Sequence, residues 1–381
     1  MDFLFFYNFF RFFFLISFTA LHILFLLGLL LECLRDKKIS QKECTDYPLV
    51  SLVIPVHNES LRIPGLLKSL AEQDYPNTQF VFIDDRSEDN TAEMILEFFK
   101  KVEGKKTLLI SLKENPGVNR KQYALTQGIE KAEGDIILFT DGDCQMPPNW
   151  IRGMVKHISD EKTGLVIAPV FKKAEVNNFF YLYQCFEHGI RYIYAACFAG
   201  LGIAGGGFGN NLIFKKSCLD AIGGYSTIPY TPTEDAALIS AIRSTRKFKI
   251  GAAISKDVHV TTQGEENWKK LINQNLRWNN GGLFSKHIPT NICYGFFMIS
   301  IGAGILAIPV LPFIPSIWPL PLAVLSSMLA ISIANLVLFK SSLPKNSIAF
   351  GFNVLFTPTY FTFLTAMSFL GIKPDWKGKE V

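Results

Sequence analysis

Asp141-Gly142-Asp143 is the triplet whose spacing speaks most directly to chemistry. Side chains at i and i+2 of an extended segment point to the same side, about 6.5 Å apart. Two carboxylates so placed can converge on one hard cation, which shares its remaining positions with diphosphate oxygens. Gly142 allows the backbone to approach a ligand closely. Further polar residues follow other short apolar runs: His57, Asn58 and Glu59 after Val50–Val56, and Asp84 and Asp85 after Phe80–Ile83. No G-x-G-x-x-G follows the first run and no G-x-x-x-x-G-K-[ST] occurs, so neither a dinucleotide nor a P-loop cradle is expected. A divalent metal is the remaining way for these acids to hold a phosphate.

Two more groups stand out by spacing. Gln274, Arg277 and Trp278 lie at i, i+3 and i+4, so one helical face presents all three. Trp268, Leu271, Ile272 and Leu276 form an apolar stripe beside them, as for a helix at a membrane interface, with Trp278 as a stacking platform. Glu234 and Asp235 precede a helical Ala-Ala-Leu-Ile run, where first-turn acids are favoured by the helix dipole.

The elements that must position these residues alternate. Val50–Val56, Phe80–Ile83, Thr107–Leu112, Ile136–Thr140 and Leu165–Ala168 read as strands, and stretches around 60–73, 90–102, 119–132 and 148–159 as helices. That alternation predicts an α/β domain with a mostly parallel sheet covered on both faces. In such folds a ligand sits beyond the carboxyl ends of the strands, where Glu59, Asp84, Asp85, Asp141 and Asp143 collect.

The 381 residues are 49% hydrophobic and 19% charged, too apolar for a soluble protein and too charged for an all-membrane one. Disorder, a collagen-like fibre and a small disulfide scaffold are excluded. A net charge of +5 is too weak and dispersed for nucleic acid and suits anionic lipid headgroups better. Seven scattered cysteines without a CxxC pair suit a reducing compartment. Residues 12–34 are long and apolar enough to span roughly 30 Å of hydrocarbon. Arg35, Lys37 and Lys38 follow, which places the next domain in the cytoplasm by the positive-inside rule. Residues 291–339 and 347–371 are again almost uncharged, and Pro309, Pro312, Pro315, Pro319 and Pro321 divide the first stretch into two spans. Pro358 offers a re-entrant hairpin that would return the basic tail (Lys373, Lys377, Lys379) to the cytoplasm. The expected organisation is a transmembrane segment in 1–40, the α/β domain in 48–284, and two to three spans in 290–381. No apolar run shows a buried ionisable pair, which argues against a transporter.

The segments Val50–Glu59, Phe82–Thr91 and Thr140–Asp143 resemble glycosyltransferase family 2, with its GT-A fold. Gly209–Lys216 with Gly223-Gly224-Tyr225 is similar to that family's acceptor-side region, Thr233-Glu234-Asp235 to its base motif, and Gln274–Trp278 to Q-x-x-R-W. The resemblance covers about residues 48–284. It implies that Glu59 and Asp85, with Asp84 adjacent, hold the uracil and ribose of a UDP-sugar. It implies that Lys121 approaches the diphosphate, although Arg120 stands where the family's G-K-x-x-A-L has Gly. Asp141 would contact the nucleotide or sugar, Asp143 would ligate Mg2+ or Mn2+, and Asp235 would be the catalytic base.

The expected function is therefore inverting transfer of a sugar from a nucleotide-diphosphate sugar, with UDP as the expected carrier, to a lipid or lipid-linked acceptor. The enzyme would be multi-pass in the cell membrane with its catalytic domain in the cytoplasm. A processive polysaccharide synthase of the same family and a non-catalytic, sugar-nucleotide-binding scaffold are the alternatives.

Overall fold

Seven strands form the central sheet, and the reason is visible in their burial. β1 (Val50–Val56), β2 (Thr78–Asp84), β4 (Ile136–Phe139) and β5 (Thr163–Ile167) are almost wholly buried apolar runs, as strands covered on both faces must be. With β3 (Lys106–Ser111), β7 (Leu212–Lys215) and β8 (Lys249–Ala252) they lie in the order β3-β2-β1-β4-β7-β5-β8. All neighbouring pairs are parallel except those of β7, which runs antiparallel to both β4 and β5. A small second sheet pairs β6 (Val170–Lys173) with β9 (Val260–Gln263). The structure is a computed structural model that describes residues 2–44, 46–102, 104–114, 119–173, 178–284, 288–343, 348–376 and 379–380. Lys377 of the basic tail lies outside the described residues.

The five strands and four helices expected between residues 50 and 168 all form. The helices are α2 (Ile63–Ala71), α3 (Thr91–Lys101), α4 (Arg120–Glu130) and α5 (Trp150–Ile158). β6 to β9 carried no usable pattern: each is four residues long, too short for an alternation to register. β2, β1 and β4 are adjacent, so the acids that follow them share one rim. The chain leaves β1 toward β2 on one side while β4 lies on the other, which opens a crevice at the carboxyl ends.

The chain divides into two compact units. One comprises Leu30–Lys173 and Phe198–Gln263 and contains both sheets, with α7 (Lys216–Ile222) and α8 (Glu234–Ser244). The other comprises Met1–Leu29, Ala174–Cys197 and Gly264–Val381. It contains most of α1 (Asp2–Ser40) and α6 (Phe179–Gly200), together with α9 (Trp268–Leu283), α10 (Ile288–Ala307), α11 (Pro319–Phe339) and α12 (Ile348–Phe369). Among the described residues three helices are long and apolar enough to cross a membrane: Leu15–Ser40, Asn291–Val310 and Pro315–Phe339.

Two expectations for the helical unit are corrected. Pro358 does not turn the chain back; α12 runs continuously through it. The hydroxyls of Thr359 and Thr362 donate to the carbonyls of Leu355 and Pro358, at 2.8 Å each, within the same helix. The second concerns ionisable pairs. α6 does carry one, Glu187 with Arg191 at i and i+4, and Glu187 is 0% exposed. In the sequence the pair is hidden by the aromatic residues around it.

Candidate active site

Asn58 follows β1 at φ +54, a left-handed conformation that asparagine tolerates better than most side chains. Its backbone N–H donates to Ser87 Oγ at 3.0 Å and its Oδ1 accepts from Glu88 N–H at 2.8 Å. The loops after β1 and β2 are thereby tied together. Glu59 pairs with Arg62, Nε to Oε2 at 2.7 Å. A Cβ on Gly142 would lie 3.0 Å from Glu59 Cγ and 3.2 Å from Val56 Cγ1. Gly142 thus allows the loops after β1 and β4 to meet.

Asp84 and Asp85 are both buried at the end of β2, and they do different things. Asp84 Oδ1 accepts from the Ser87 hydroxyl at 2.5 Å and from the Ser87 backbone N–H at 3.1 Å, which shapes the turn. Asp85 Oδ1 takes the Arg86 guanidinium at 2.8 Å, while Oδ2 is buried without a hydrogen-bond partner among the described residues. A buried carboxylate oxygen left this way costs free energy unless a ligand completes it. His57 Nδ1 bonds the Asp85 carbonyl at 2.7 Å and so holds the turn.

The D-x-D geometry departs from the expected one. β4 ends at Phe139, and Asp141 to Cys144 form a turn closed by the Cys144 N–H on the Asp141 carbonyl at 3.2 Å. The rule for alternate side chains of a strand does not hold there, and the two carboxylates have different partners. Both oxygens of Asp141 receive Lys121 Nζ, at 2.7 and 2.9 Å. Asp143 Oδ2 accepts from the Thr262 hydroxyl at 2.7 Å, and its Oδ1 is met by the weakly donating Cys144 thiol at 3.7 Å. Burial and the neighbouring carboxylates push the Cys144 thiol well up, so it stays protonated beside them.

Lys121 connects three chain segments. It sits in the first turn of α4, whose N–H groups at Lys121 and Gln122 are capped by Asn119 Oδ1 at 3.1 and 3.3 Å. Asn119 also donates to the Thr231 carbonyl, and Gln122 to the Ile228 carbonyl at 2.9 Å while accepting from the Thr231 N–H at 3.1 Å. These bonds draw the loop before α8 against α4, and Lys121 Nζ comes to 3.5 Å from Glu234. Burial alone would lower the Lys121 ammonium; the carboxylates of Asp141, Glu234 and Asp235 outweigh it and hold it above its ordinary value.

Asp235, next in α8, is half-buried and aimed by backbone. Its Oδ2 accepts from Gly209 N–H at 2.9 Å and its Oδ1 from Ala236 N–H at 2.7 Å. A Cβ on Gly209 would lie 2.9 Å from Asp235 Cβ, so a side chain there would push the carboxylate away. Asn211, in the same stretch, is structural: it is fully buried, accepts from Trp150 Nε1 at 3.0 Å and donates to the Pro169 and Val258 carbonyls at 2.8 Å each.

The helical unit holds Gln274, Arg277 and Trp278 on α9. Gln274 Nε2 donates to Glu265 Oε1 at 2.7 Å. The Arg191 guanidinium lies 5.4 Å from the centre of the Trp278 ring, and His188 meets that ring edge-on at 5.6 Å. Part of Trp278 is therefore taken up within the unit. The aromatic residues of α6 pack on α9 and α12, with Tyr183 tilted against Trp268 and edge-on to Phe356 and Tyr360.

Sequence reasoning missed Thr262 and the contact of Glu234 with Lys121. Thr262 sits on a strand of four residues with no signal of its own. The lysine contact spans more than a hundred residues, so no local spacing announces it.

Among the described residues no three His, Cys, Asp or Glu side chains form a closed metal cage. The donor set that exists is hard oxygen on one or two carboxylates. That fits a cation whose other positions are filled by substrate phosphates, as is usual for Mg2+.

Residues 16–381 match the family model described as Glycosyl transferase family 21. An undecaprenyl-phosphate 4-deoxy-4-formamido-L-arabinose transferase of Aeromonas hydrophila is 37% identical over 115 residues, covering 29% of this chain and 34% of that protein. A beta-monoglucosyldiacylglycerol synthase of a Nostoc species is 30% identical over 184 residues, covering 47% and 38%. The chain spans little more than a third of the length of these curated relatives. Among solved structures, the mannosyltransferase PcManGT from Pyrobaculum calidifontis, in complex with GDP-Man and Mn2+, aligns with a TM-score of 0.55 at 18% identity. The alignment covers 94% of this chain and 99% of that one. The likeness is one of fold, and the fold is GT-A.

Proposed function

The chain belongs to glycosyl transferase family 21, and from that premise we propose that it moves a sugar from a nucleotide-diphosphate sugar to a lipid or lipid-linked acceptor. Three candidate membrane-crossing helices associate it with a membrane, where such an acceptor resides. The names of the two relatives, one acting on undecaprenyl phosphate and one making a glucosylated diacylglycerol, support the acceptor class. UDP is the expected carrier. The observation that carries the reading is the convergence of Lys121, Asp141, Glu234 and Asp235 from three distant segments.

The chemistry follows from these groups. An alcohol or phosphate-bearing acceptor attacks the anomeric carbon as the bond to the diphosphate breaks. Asp235 takes the proton if the nucleophile is a hydroxyl, its carboxylate held by the N–H groups of Gly209 and Ala236. A single displacement from the face opposite the leaving group inverts the anomeric carbon. Lys121 carries the positive charge that the departing diphosphate requires. Glu59, Asp84 and Asp85 would hold base and ribose, a role supported by Asp85 Oδ2, which has no donor among the described residues. Asp143, with Asp141, would hold a divalent cation, which supplies further neutralisation of diphosphate charge. Gln274, Arg277 and Trp278 would face the acceptor.

Membranes containing the protein, incubated with labelled UDP- and GDP-sugars, should transfer label to an extractable lipid from one donor, and a chelator should abolish the transfer. Label recovered in a polymer would favour processive extension. No transfer from any donor would leave the scaffold reading, and full transfer after chelation would remove the metal.

The catalytic unit would face the cytoplasm, where nucleotide sugars are made. Lys37 and Lys38 are exposed for anionic headgroups. Arg35 is not, because it turns inward to Thr163 at 2.8 Å. Cysteine placed at exposed Lys101, near Lys105, should resist a membrane-impermeant label applied to intact cells and react after lysis. Labelling of intact cells above the background of the unsubstituted chain would reverse the orientation.

A further inference from the structure

β8 is the last strand of its sheet, so the N–H groups on its outer side lack a strand partner. The end of α1 supplies one. Glu32 and Asp36 are one turn apart, about 6 Å along a helix. The N–H groups of Ala252 and Ile254 are two residues apart on extended chain, about 6.6 Å. The two spacings match. Glu32 Oε2 accepts from Ala252 N–H at 3.0 Å, and Asp36 Oδ1 from Ile254 N–H at 2.6 Å and Ser255 N–H at 3.0 Å. Between them the Ala253 N–H points the other way, to the Ile167 carbonyl at 2.9 Å. Two carboxylates of a helix thus stand in for a neighbouring strand.

The contact is reinforced on both sides. His157 of α5 bonds Asp36 Oδ1 through Nε2 at 2.7 Å and the Gly153 carbonyl through Nδ1 at 2.8 Å. Arg35 pairs with Glu32 and lies across Gly251, where a Cβ would come within 2.0 Å of its Nη1. From Ile254 the chain continues through a turn, in which His259 Nε2 bonds the Ile254 carbonyl at 2.9 Å, into β9. β9 is fixed to the loop after β4 by two 2.8 Å bonds between Thr261 and Gln145, and its Thr262 holds Asp143.

We propose that Glu32 and Asp36 are positioning residues: they fix the β8–β9 connection, and through Thr262 they set the carboxylate of Asp143. The last turns of α1 are then part of the site's support as well as an anchor. This rests on the reading above that Asp143 holds a cation with the nucleotide.

The test uses the full chain in detergent, with amide hydrogen exchange over residues 252–262 and the affinity for UDP with and without Mn2+. Asp36→Leu, which removes the oxygen that accepts from both N–H groups, should speed exchange at Ile254 and Ser255 and weaken Mn2+-dependent UDP binding by about 10-fold, the usual cost of losing support behind a metal ligand. UDP binding without Mn2+ should hardly change. Thr262→Val should reproduce the loss of affinity without the faster exchange at Ile254. If Asp36→Leu does not fold, Glu32→Leu carries the test, and Glu32→Gln, which keeps an oxygen in place, should recover most of what it loses. Asp143→Asn separates the two levels. If it weakens Mn2+-dependent binding while Asp36→Leu and Glu32→Leu do not, the positioning role is overturned and the cation reading stands. If Asp143→Asn changes nothing, the cation reading fails and the positioning role falls with it.

Discussion

Asp235→Asn should lower the initial rate of sugar transfer by about 10²-fold or more, the usual worth of a positioned general base. The substitution keeps the volume and removes the charge that accepts the proton. Asn retains one oxygen for either Gly209 or Ala236 N–H, so α8 stays in place, and UDP binding should survive because Asp235 is not among the donor contacts. A first-turn acid with only a helix-start role would behave otherwise, since Asn caps as well as Asp and turnover would barely change. Transfer rate and UDP affinity measured on the same purified variant decide between them. Lost turnover with intact binding places Asp235 in the chemistry. Near-wild-type turnover removes it.

Lys121→Met should cost about 10²- to 10³-fold in transfer, the scale seen when one electrostatic contact to developing charge is removed. It should also weaken UDP binding, because the ammonium is needed in the ground state as well. Another explanation for such a loss is local: Asp141 and Glu234 would face one another without the cation that separates them. The double variant Lys121→Met/Glu234→Gln distinguishes the two, because Glu234 has no assigned role toward cation or nucleotide. If Lys121 only separates Asp141 from Glu234, removing the Glu234 charge restores UDP affinity. If Lys121 serves the diphosphate, the double variant stays as weak as the single one. Isothermal titration with UDP in the presence of Mn2+ reads this directly.

The elements of the α/β unit from Val50 to Ile167 are legible in the sequence because each is encoded locally. A fully buried strand is a short apolar run, and an amphipathic helix repeats every 3.6 residues. The acids at the rim are legible for the same reason: a strand that ends on Asp84 or just before Asp141 puts the carboxylate at its carboxyl end whatever surrounds it. Membrane-crossing length is likewise a property of contiguous residues, and the proline-rich break between α10 and α11 falls where the prolines lie.

The tertiary structure decided which charges answer one another. Asp141 and Asp143 look equivalent in D-x-D, yet the turn after β4 gives one to Lys121 and the other to Thr262. Arg35 reads as one of three basic residues, with Lys37 and Lys38, that orient the first span, and in the structure it is folded against Gly251. Glu32 and Asp36, which no sequence pattern singles out, cap the edge of a sheet more than two hundred residues away. A hydrogen bond or ion pair depends on distances of about 3 Å between side chains. Where partners are far apart in the chain, only the packed sheet and helices bring them within that range.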